Sequence, residues 1–321
     1  MEMVSLNDLL DKNHNYRKFK KLWDFAEVKR ELEKIEAKNE ADFKGYGIFR
    51  LFLCLLVQFM ENLSDRELEE SLKSNLASKW FCNFSLVEKT PSYSLFTRVR
   101  DRIGTNKLAK IFNILRNQLK ARGYMSENFT FVDASHLISK ASLWAERDEA
   151  IKQKYEKLNN EILPKFSKDK QANFGCKGGD KFWYGFKKHA SVDMQSGMIN
   201  KVAVTKASVI DSKGMKHVLP STGAVYGDKG YCDKNAKVAV AKRNLHLAAV
   251  KKNNMKGKNK DLDKFYTKLR APYERVFSKT NHKTRYRTIA KNQFTAFMES
   301  IAHNLKRTVV LNSLYPAIKT A

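Results

Sequence analysis

The sequence predicts an α+β protein in which an all-α N-terminal domain precedes a mixed α/β domain. Two observations lead to this fold class. Apolar residues recur at helical spacing through the first part of the chain, as in residues 48–59. After Gly123 the pattern changes to short β-branched and aromatic runs that alternate with amphipathic segments. We therefore expect a helical domain over residues 1–125 and a mixed domain over residues 126–321.

The N-terminal domain is expected to contain at least four helices. Residues 48–59 form one, and Ser64-Asp65-Arg66-Glu67 has the pattern of a capping box that starts the next. Thr90-Pro91-Ser92 opens a third helix, and residues 108–119 continue in a fourth. Three arginines lie near the apolar face of the third helix, where they are either solvated or in contact with a binding partner: Arg98, Arg100 and Arg102.

The second domain is expected to begin with a strand over residues 128–133 and to contain a polar, lysine-rich insertion at about 145–181. Residues 182–192 and 198–205 flank the turn at 193–197 and predict a hairpin. Further elements follow in the order short helix, strand, helix, strand, helix interrupted at Pro272, and final helix: residues 211–219, 223–226, 235–243, 245–250, 261–278 and 289–311.

The charge indicates the class of partner. The chain has 61 Lys and Arg against 34 Asp and Glu, a net charge of +27, and residues 131–321 carry 38 of those basic residues against 16 acidic ones. A positive field of this size attracts a polyanion, which favours double-stranded DNA. An anionic membrane is the competing partner, but no basic amphipathic helix with an aromatic apolar face is evident. Four dispersed cysteines and no secretory signal are expected of a cytoplasmic protein.

Two acidic residues stand at positions where a carboxylate is costly to bury. Asp133 lies within or at the end of an otherwise apolar strand, and Asp228 follows the strand at 223–226. A carboxylate at the end of a central strand needs a partner or a cation, although Asp133 could also be a cap and Asp228 an ordinary turn residue. Glu274 lies one helical turn after Arg270. This spacing alone predicts an ordinary ion pair between the two residues on the helix surface.

The order of these residues resembles the DDE transposases of bacterial insertion sequences, and among them the group named insertion sequence five. The resemblance runs from about residue 45 to 312 and rests on these motifs: Leu-Ser-Asp-Arg-Glu-Leu at 63–68, Trp-Tyr-Gly-Phe-Lys-Lys-His at 183–189, Tyr-Gly-Asp-Lys-Gly-Tyr at 226–231 and Tyr-Glu-Arg-Val-Phe at 273–277. Thr288 departs from the family, which usually has glycine there, and Pro272 lies unusually close to the acidic residue. The three carboxylates keep their order, 95 and 46 residues apart.

The resemblance implies an RNase H-like catalytic core that holds two Mg²⁺ ions, with Mn²⁺ as a substitute, on Asp133, Asp228 and Glu274. Asp133 would bridge both ions, and each of the other two residues would complete one site. Mg²⁺ prefers carboxylate and water oxygens, and a pair of such ions serves in-line displacement at phosphorus. Asp261 and Asp263 are the alternatives if Glu274 points away.

The expected activity is phosphodiester cleavage at the element's ends followed by strand transfer into target DNA. The residues expected to hold DNA are Lys229, Arg275, Lys283, Arg285, Tyr286 and Arg287, besides the three N-terminal arginines. The segment at 283–287 could instead be a solvated loop. Two alternative functions stay open: a stand-alone RNase H-like nuclease, and a catalytically silent DNA-binding regulator. A transposase would act as a homodimer or higher oligomer on DNA, at the bacterial nucleoid.

Overall fold

The computed structural model describes residues 5–36, 45–140, 161–177, 181–278 and 282–314. The chain forms two compact units, one of residues 1–124 with 297–321 and the other of residues 125–296. The sequence pattern placed the whole C-terminal helix in the second domain, whereas residues from Phe297 onward belong to the first unit. No helix among the described residues is long and apolar enough to cross a membrane.

The first unit is helical, as predicted. Ile48–Met60 is buried on almost every side because its sequence is apolar on almost every side. Ser64 and Glu67 form the predicted capping box at the start of the next helix. The helices of this unit are α1 Leu6–Leu9, α2 Asn15–Leu22, α3 Ala26–Glu36, α4 Ile48–Met60, α5 Asp65–Ser74, α6 Leu76–Phe81 and α7 Tyr93–Ala121.

Two predicted helices are joined in α7, which contains a break at Gly104. Gly104 has φ 64°, a left-handed conformation that glycine adopts without steric cost. Both halves bury one apolar stripe, so the helical periodicity of each was visible in the sequence. The C-terminal helix returns to this unit, where Phe297 packs on Phe112 with ring centroids 5.4 Å apart.

The second unit is built on one six-stranded sheet. Its strands are β1 Phe129–Ile138, β2 Asn173–Lys177, β3 Lys181–Asp193, β4 Ile199–Lys206, β5 Ala224–Gly227 and β6 His246–Ala249. The order is β2-β3-β1-β5-β6, and β4 also pairs with β3. The pairs β1–β3, β2–β3 and β3–β4 are antiparallel, whereas β1–β5 and β5–β6 are parallel. This is the mixed sheet expected of an RNase H-like core.

The helices of this unit are α8 Leu163–Phe166, α9 Asp211–Gly214, α10 Lys234–Ala241, α11 Lys260–Ser278 and the first part of α12 Ile289–Leu314. The face of the sheet that carries Val132 and Val225 packs with Tyr231, Ala236 and Val240 in one buried cluster. The opposite face carries Phe131, whose ring meets that of Phe277 on α11 at 5.6 Å.

Two predicted features of this unit were wrong. Part of the predicted insertion is the strand β2, which backbone pairing with the first half of β3 holds in place despite its polar sequence. Residues 163–166 of the insertion form a short helix, and residues 145–160 and 178–180 of it lie outside the described residues. The predicted interruption at Pro272 is absent, because α11 continues through it. Aromatic side chains on both sides of the proline, Tyr266 and Phe277, anchor the helix to the sheet.

Candidate active site

Asp133 and Asp228 occupy matched positions on neighbouring parallel strands. The β1–β5 ladder pairs Phe129 with Ala224 and Phe131 with Tyr226. Each aspartate lies two residues beyond the last of these pairs. Side chains alternate along a strand, and neighbouring strands are about 4.8 Å apart. The two carboxylates therefore extend from the same face of the sheet, side by side.

Local backbone geometry fixes one oxygen of each carboxylate. Asp228 caps a 3₁₀ turn over Lys229–Tyr231, and its Oδ1 accepts a hydrogen bond of 2.7 Å from the Gly230 amide. Asp133 Oδ1 accepts one of 2.8 Å from the Ala134 amide. Within the described part of the chain, the Oδ2 of neither aspartate accepts a hydrogen bond.

The electrostatics of this pair are unfavourable without a cation. Burial raises the pKa of Asp133 from 3.8 to about 7, against the lowering effect of the Ala134 amide. The negative charge of Asp228 raises this pKa further, Lys177 lowers it, and Asp211 raises it again. Two hard carboxylates that repel each other in a partly buried site are suited to bind a hard divalent cation.

Glu274 lies on α11, the helix that covers this face of the sheet. Phe277 contacts Phe131, and the ring of Tyr266 contacts that of Tyr226 at 5.7 Å. The Glu274 side chain is half exposed, and its Oε1 is 3.5 Å from Arg270 Nη2. An exposed pair of this kind contributes only a few tenths of a kcal/mol, roughly 0.3–0.5. It therefore restrains the side chain weakly.

The structure brings together two of the three predicted ligands. No group of three or more His, Cys, Asp or Glu side chains is close enough to hold a metal ion within the ranges that the structure describes. Of the two alternatives, Asp263 accepts a hydrogen bond of 2.9 Å from the Lys251 amide, and Asp261 is exposed in the first turn of α11. Asp133 and Asp228 fit a divalent cation, and Glu274 stays the candidate for the third ligand.

The basic segment after α11 is attached to the sheet. The Ile138 amide donates to the His282 carbonyl at 2.6 Å, and the Thr284 amide donates to the Ile138 carbonyl at 2.8 Å. Lys283 and Arg287 are exposed, whereas Arg285 and Tyr286 are partly buried. The basic side chains are thus carried on a segment fixed to the end of β1, the strand that carries Asp133. Lys229 and Arg275 are also exposed.

One member of the N-terminal arginine set does not fit a DNA contact. Arg98 and Arg102 are exposed, but Arg100 is buried. Its guanidinium binds both carboxylate oxygens of Asp65, at 2.8 and 2.5 Å. Arg100 consequently ties α7 to the start of α5. The sequence pattern could not show this partner, which lies 35 residues away along the chain.

Several polar residues of this unit were not predicted as parts of the site. Asp211 forms an ion pair of 2.8 Å with Lys187 and acts electrostatically on Asp133. Tyr231 is fully buried beside the strand end. His189 is buried: its Nε2 lies 2.9 Å from Thr205 Oγ1, and burial lowers its pKa to about 4.

Comparison with known proteins gives two family models that together match most of the chain. Residues 4–102 match the model described as Transposase domain (DUF772). Residues 149–305 match the model described as Transposase DDE domain. The second match includes Asp228 and Glu274 and begins after Asp133, so the assignment of Asp133 depends on its position beside Asp228.

Among solved structures, the Mos1 transposase paired-end complex with left transposon end aligns with 77% of this chain and 77% of that chain. The identity is 7% and the TM-score 0.20, a likeness too low to support an argument about fold or function.

Proposed function

Because the chain belongs to the insertion-sequence DDE transposases, we propose that it cleaves phosphodiester bonds at the element's ends and joins the released ends to target DNA. The observation that carries this proposal is the pair Asp133–Asp228 at matched positions beyond the parallel β1–β5 ladder. Burial, and to a smaller extent the negative charge of Asp228, raises the pKa of Asp133. Such an arrangement is unfavourable in a protein that lacks a cation at this position.

The residues that would hold two divalent ions are Asp133, Asp228 and Glu274. When bound, Mg²⁺ or Mn²⁺ would activate the attacking oxygen and neutralise the charge that develops on the leaving oxygen. Asp133, on the central strand β1, would supply a ligand to both ions. Glu274 would exchange its contact with Arg270 for a place beside the aspartates.

The basic residues around this pair would hold the DNA backbone. Lys229 directly follows Asp228, and Lys283 and Arg287 are carried on the segment attached to β1. Phosphate contacts of this kind position the strand without reading its sequence. In the reaction that we propose, water attacks at the element's end and frees a 3′-hydroxyl, which then attacks a target phosphodiester and displaces a second 3′-hydroxyl.

Joining two element ends to one target requires two copies of the chain in one assembly. We therefore propose a homodimer or higher oligomer on DNA, acting at the bacterial nucleoid. The resemblance to the group named insertion sequence five is part of this proposal.

The test is incubation of the purified chain with DNA that carries the element's own ends, a plasmid target and Mg²⁺. We expect cleaved ends and covalently joined products, both absent with EDTA. Cleaved ends without joined products would indicate a stand-alone nuclease. Specific DNA binding with no cleavage in Mg²⁺ or Mn²⁺ would contradict the proposal and indicate a regulator.

A further inference from the structure

Four aromatic rings form a continuous row from the sheet to the first half of α11. The ring of Phe129, at the start of β1, contacts that of Tyr226 with centroids 6.3 Å apart. Tyr226 contacts Tyr266 at 5.7 Å, and Tyr266 contacts Phe265 at 6.2 Å. The two tyrosines are partly buried, whereas Phe129 and Phe265 are 55% and 53% exposed. We call these four residues the aromatic row.

The exposed part of the aromatic row is a contiguous apolar surface. Leu262, which is 43% exposed, lies three residues before Phe265, a spacing that makes the two side chains neighbours on the helix. Single exposed apolar side chains are common, but a contiguous exposed group indicates a surface that binds a partner. The row includes Tyr226, two residues before Asp228, so this surface begins close to the candidate active site.

The charge beside the aromatic row indicates the class of partner. Residues 251–268 contain seven lysines and two aspartates, a net charge of +5. Five of the lysines recur at every fourth position, and all five are exposed: Lys252, Lys256, Lys260, Lys264 and Lys268. The last three lie on one side of α11, and Lys268 is a surface neighbour of Phe265, three residues before it. A polyanion complements this surface.

The lysine-rich loop before α11 is held in one conformation by its remaining charged residues. The Lys251 amide donates to Asp263 Oδ1 at 2.9 Å, and Lys251 Nζ donates to the Gly257 carbonyl at 2.6 Å. Lys258 Nζ lies 3.8 Å from Asp263 Oδ2. The Asp263 carboxylate is thus compensated within the protein. The exposed lysines are carried on a loop that is already ordered, so little backbone entropy is lost when they bind phosphates.

We propose that this surface binds a DNA strand with unpaired bases, an inference that rests on the proposed function for the source of the strand, a cleaved end. The exposed lysines hold successive phosphates, and bases stack on the rings of Phe129 and Phe265. Proteins that bind single strands without sequence preference combine a basic surface with aromatic rings in this way. A duplex keeps its bases stacked on one another and would contact only the lysines.

The rings are tested by fluorescence anisotropy of a labelled oligo(dT) and of a duplex of the same length, in EDTA so that no cleavage occurs. Phe265→Ala should weaken oligo(dT) binding by about tenfold, the usual effect of removing one stacking ring, and leave duplex binding unchanged. Phe265→Tyr should bind oligo(dT) like the wild type. Phe265→Leu should bind it as weakly as Phe265→Ala, because leucine is apolar but has no aromatic face.

Phe182→Ala is the matched control for the rings. Phe182 is 66% exposed in the same unit, at the start of β3, where it pairs with Cys176 of β2. Its replacement removes an equally exposed ring and should change neither oligo(dT) nor duplex binding. Thermal unfolding of each variant is measured in parallel. Since Phe265→Tyr and Phe265→Leu both keep a large side chain at this position, their comparison separates stacking from any change in stability.

The lysines are tested through the salt dependence of oligo(dT) binding. Lys264→Ala combined with Lys268→Ala should reduce the slope of log affinity against log salt by about 1.4, since each phosphate contact to a single strand contributes about 0.7. The control combines Lys234→Ala with Lys237→Ala, two exposed lysines of α10. Because α10 packs on the opposite face of the sheet, the same change in charge there should leave the slope unchanged.

Oligo(dT) binding that is unchanged in Phe265→Ala, or that falls only as much as duplex binding, overturns this inference. Sedimentation velocity tests a second copy of the chain as the occupant. Self-association that is lost in Phe265→Ala while oligo(dT) binding is unchanged would assign the aromatic row to a contact between copies. A chain that binds oligo(dT) through these residues but cleaves no DNA contradicts the proposed function alone. A chain that cleaves its element's ends while Phe265→Ala binds oligo(dT) normally contradicts this inference alone.

Discussion

Asp133 and Asp193 lie on the same pair of antiparallel strands, three positions apart along the ladder, and their carboxylates have opposite surroundings. Asp193 is fully buried and accepts hydrogen bonds from the amides and hydroxyls of Ser126 and Ser196 and from the Glu127 amide. From the residues that the structure describes, Asp133 accepts a single hydrogen bond, that of the Ala134 amide, and it experiences the like charge of Asp228.

This difference in hydrogen bonding shows that the Asp193 carboxylate stabilises the fold, whereas the Asp133 carboxylate destabilises it. Five donors compensate the desolvation of Asp193, which ties the β3–β4 turn to the segment before β1. Asp133 has no such compensation and a raised pKa. Poorly compensated ionisable groups cluster at functional sites. The comparison can be tested by changing each residue and measuring both activity and stability.

The largest expected effect is on cleavage. Asp133→Asn or Asp228→Asn removes one hard anionic ligand while preserving side-chain shape. If each carboxylate supports several kcal/mol of transition-state stabilisation through the metals, cleavage should fall by about a thousandfold or more. End-labelled element DNA and a time course in Mg²⁺ measure this rate. Near wild-type cleavage by either variant would show that the pair is not catalytic.

Asp193→Ala should have the next largest effect, on stability. Removing the carboxylate leaves several buried donors without a partner, which should lower the free energy of unfolding by about 3 kcal/mol. Urea unfolding followed by circular dichroism measures this loss. A stability loss as large in Asp133→Asn as in Asp193→Ala would abolish the contrast between the two residues.

The raised pKa of Asp133 predicts a stability change with pH in the metal-free protein. Its pKa is 3.8 in the unfolded chain and about 7 in the folded one, so the folded state holds the proton more tightly. The stability from this group is present below pH 3.8 and is lost as pH rises through about 7. Asp133→Asn avoids that loss and should be more stable than wild type by about 1–2 kcal/mol near pH 8.

Near pH 5 the difference in free energy of unfolding between Asp133→Asn and wild type should be smaller. Saturating Mg²⁺ should reverse the sign of this difference near pH 8, because only the wild type gains a bound ion. Urea titrations at both pH values with EDTA or Mg²⁺ supply the four comparisons. A stability difference that is independent of pH would show that the environment of Asp133 does not disfavour its charge.

The position of the two aspartates could be predicted from the sequence, and their surroundings could not. A charged residue within or just after an apolar strand is a local signal, and it placed Asp133 on β1 and Asp228 after β5. The predicted end of the first strand at residue 133 was wrong, because pairing with β3 continues β1 to Ile138. The buried charges of Asp193 and Arg100 are compensated by hydrogen-bond partners far along the chain, such as Ser126 and Asp65. Local patterns contain no information about those contacts.

The secondary-structure elements show the same difference between local and long-range determinants. Capping at Ser64 and the alternation in β3 and β4 are local, and both were predicted. The continuity of α11 through Pro272 depends on aromatic contacts with the sheet, which outweigh the hydrogen bond that proline cannot donate. The strand β2 depends on pairing with β3, and its five residues, Asn-Phe-Gly-Cys-Lys, are too few to give a periodic signal.

The smallest effects are expected at the DNA contacts. Replacing Arg285 and Arg287 together with Ala should weaken binding to all sequences and reduce the slope of log affinity against log salt by about two. Arg100→Ala is the control: it should leave that slope unchanged but lower the free energy of unfolding by about 3 kcal/mol, because it removes the bidentate ion pair between buried Arg100 and Asp65. An unchanged slope in the double variant would show that the segment is a solvated loop.

The most direct test of the site is anomalous diffraction from crystals of the full chain grown with Mn²⁺. We expect an anomalous peak within about 2.0–2.3 Å of carboxylate oxygens of both Asp133 and Asp228, with Glu274 turned from Arg270 toward the ion. Asp133→Asn crystals grown in the same way should lack it. A protein that cleaves its element's ends in Mn²⁺ while its anomalous peak lies at other residues would contradict the assignment of this pair.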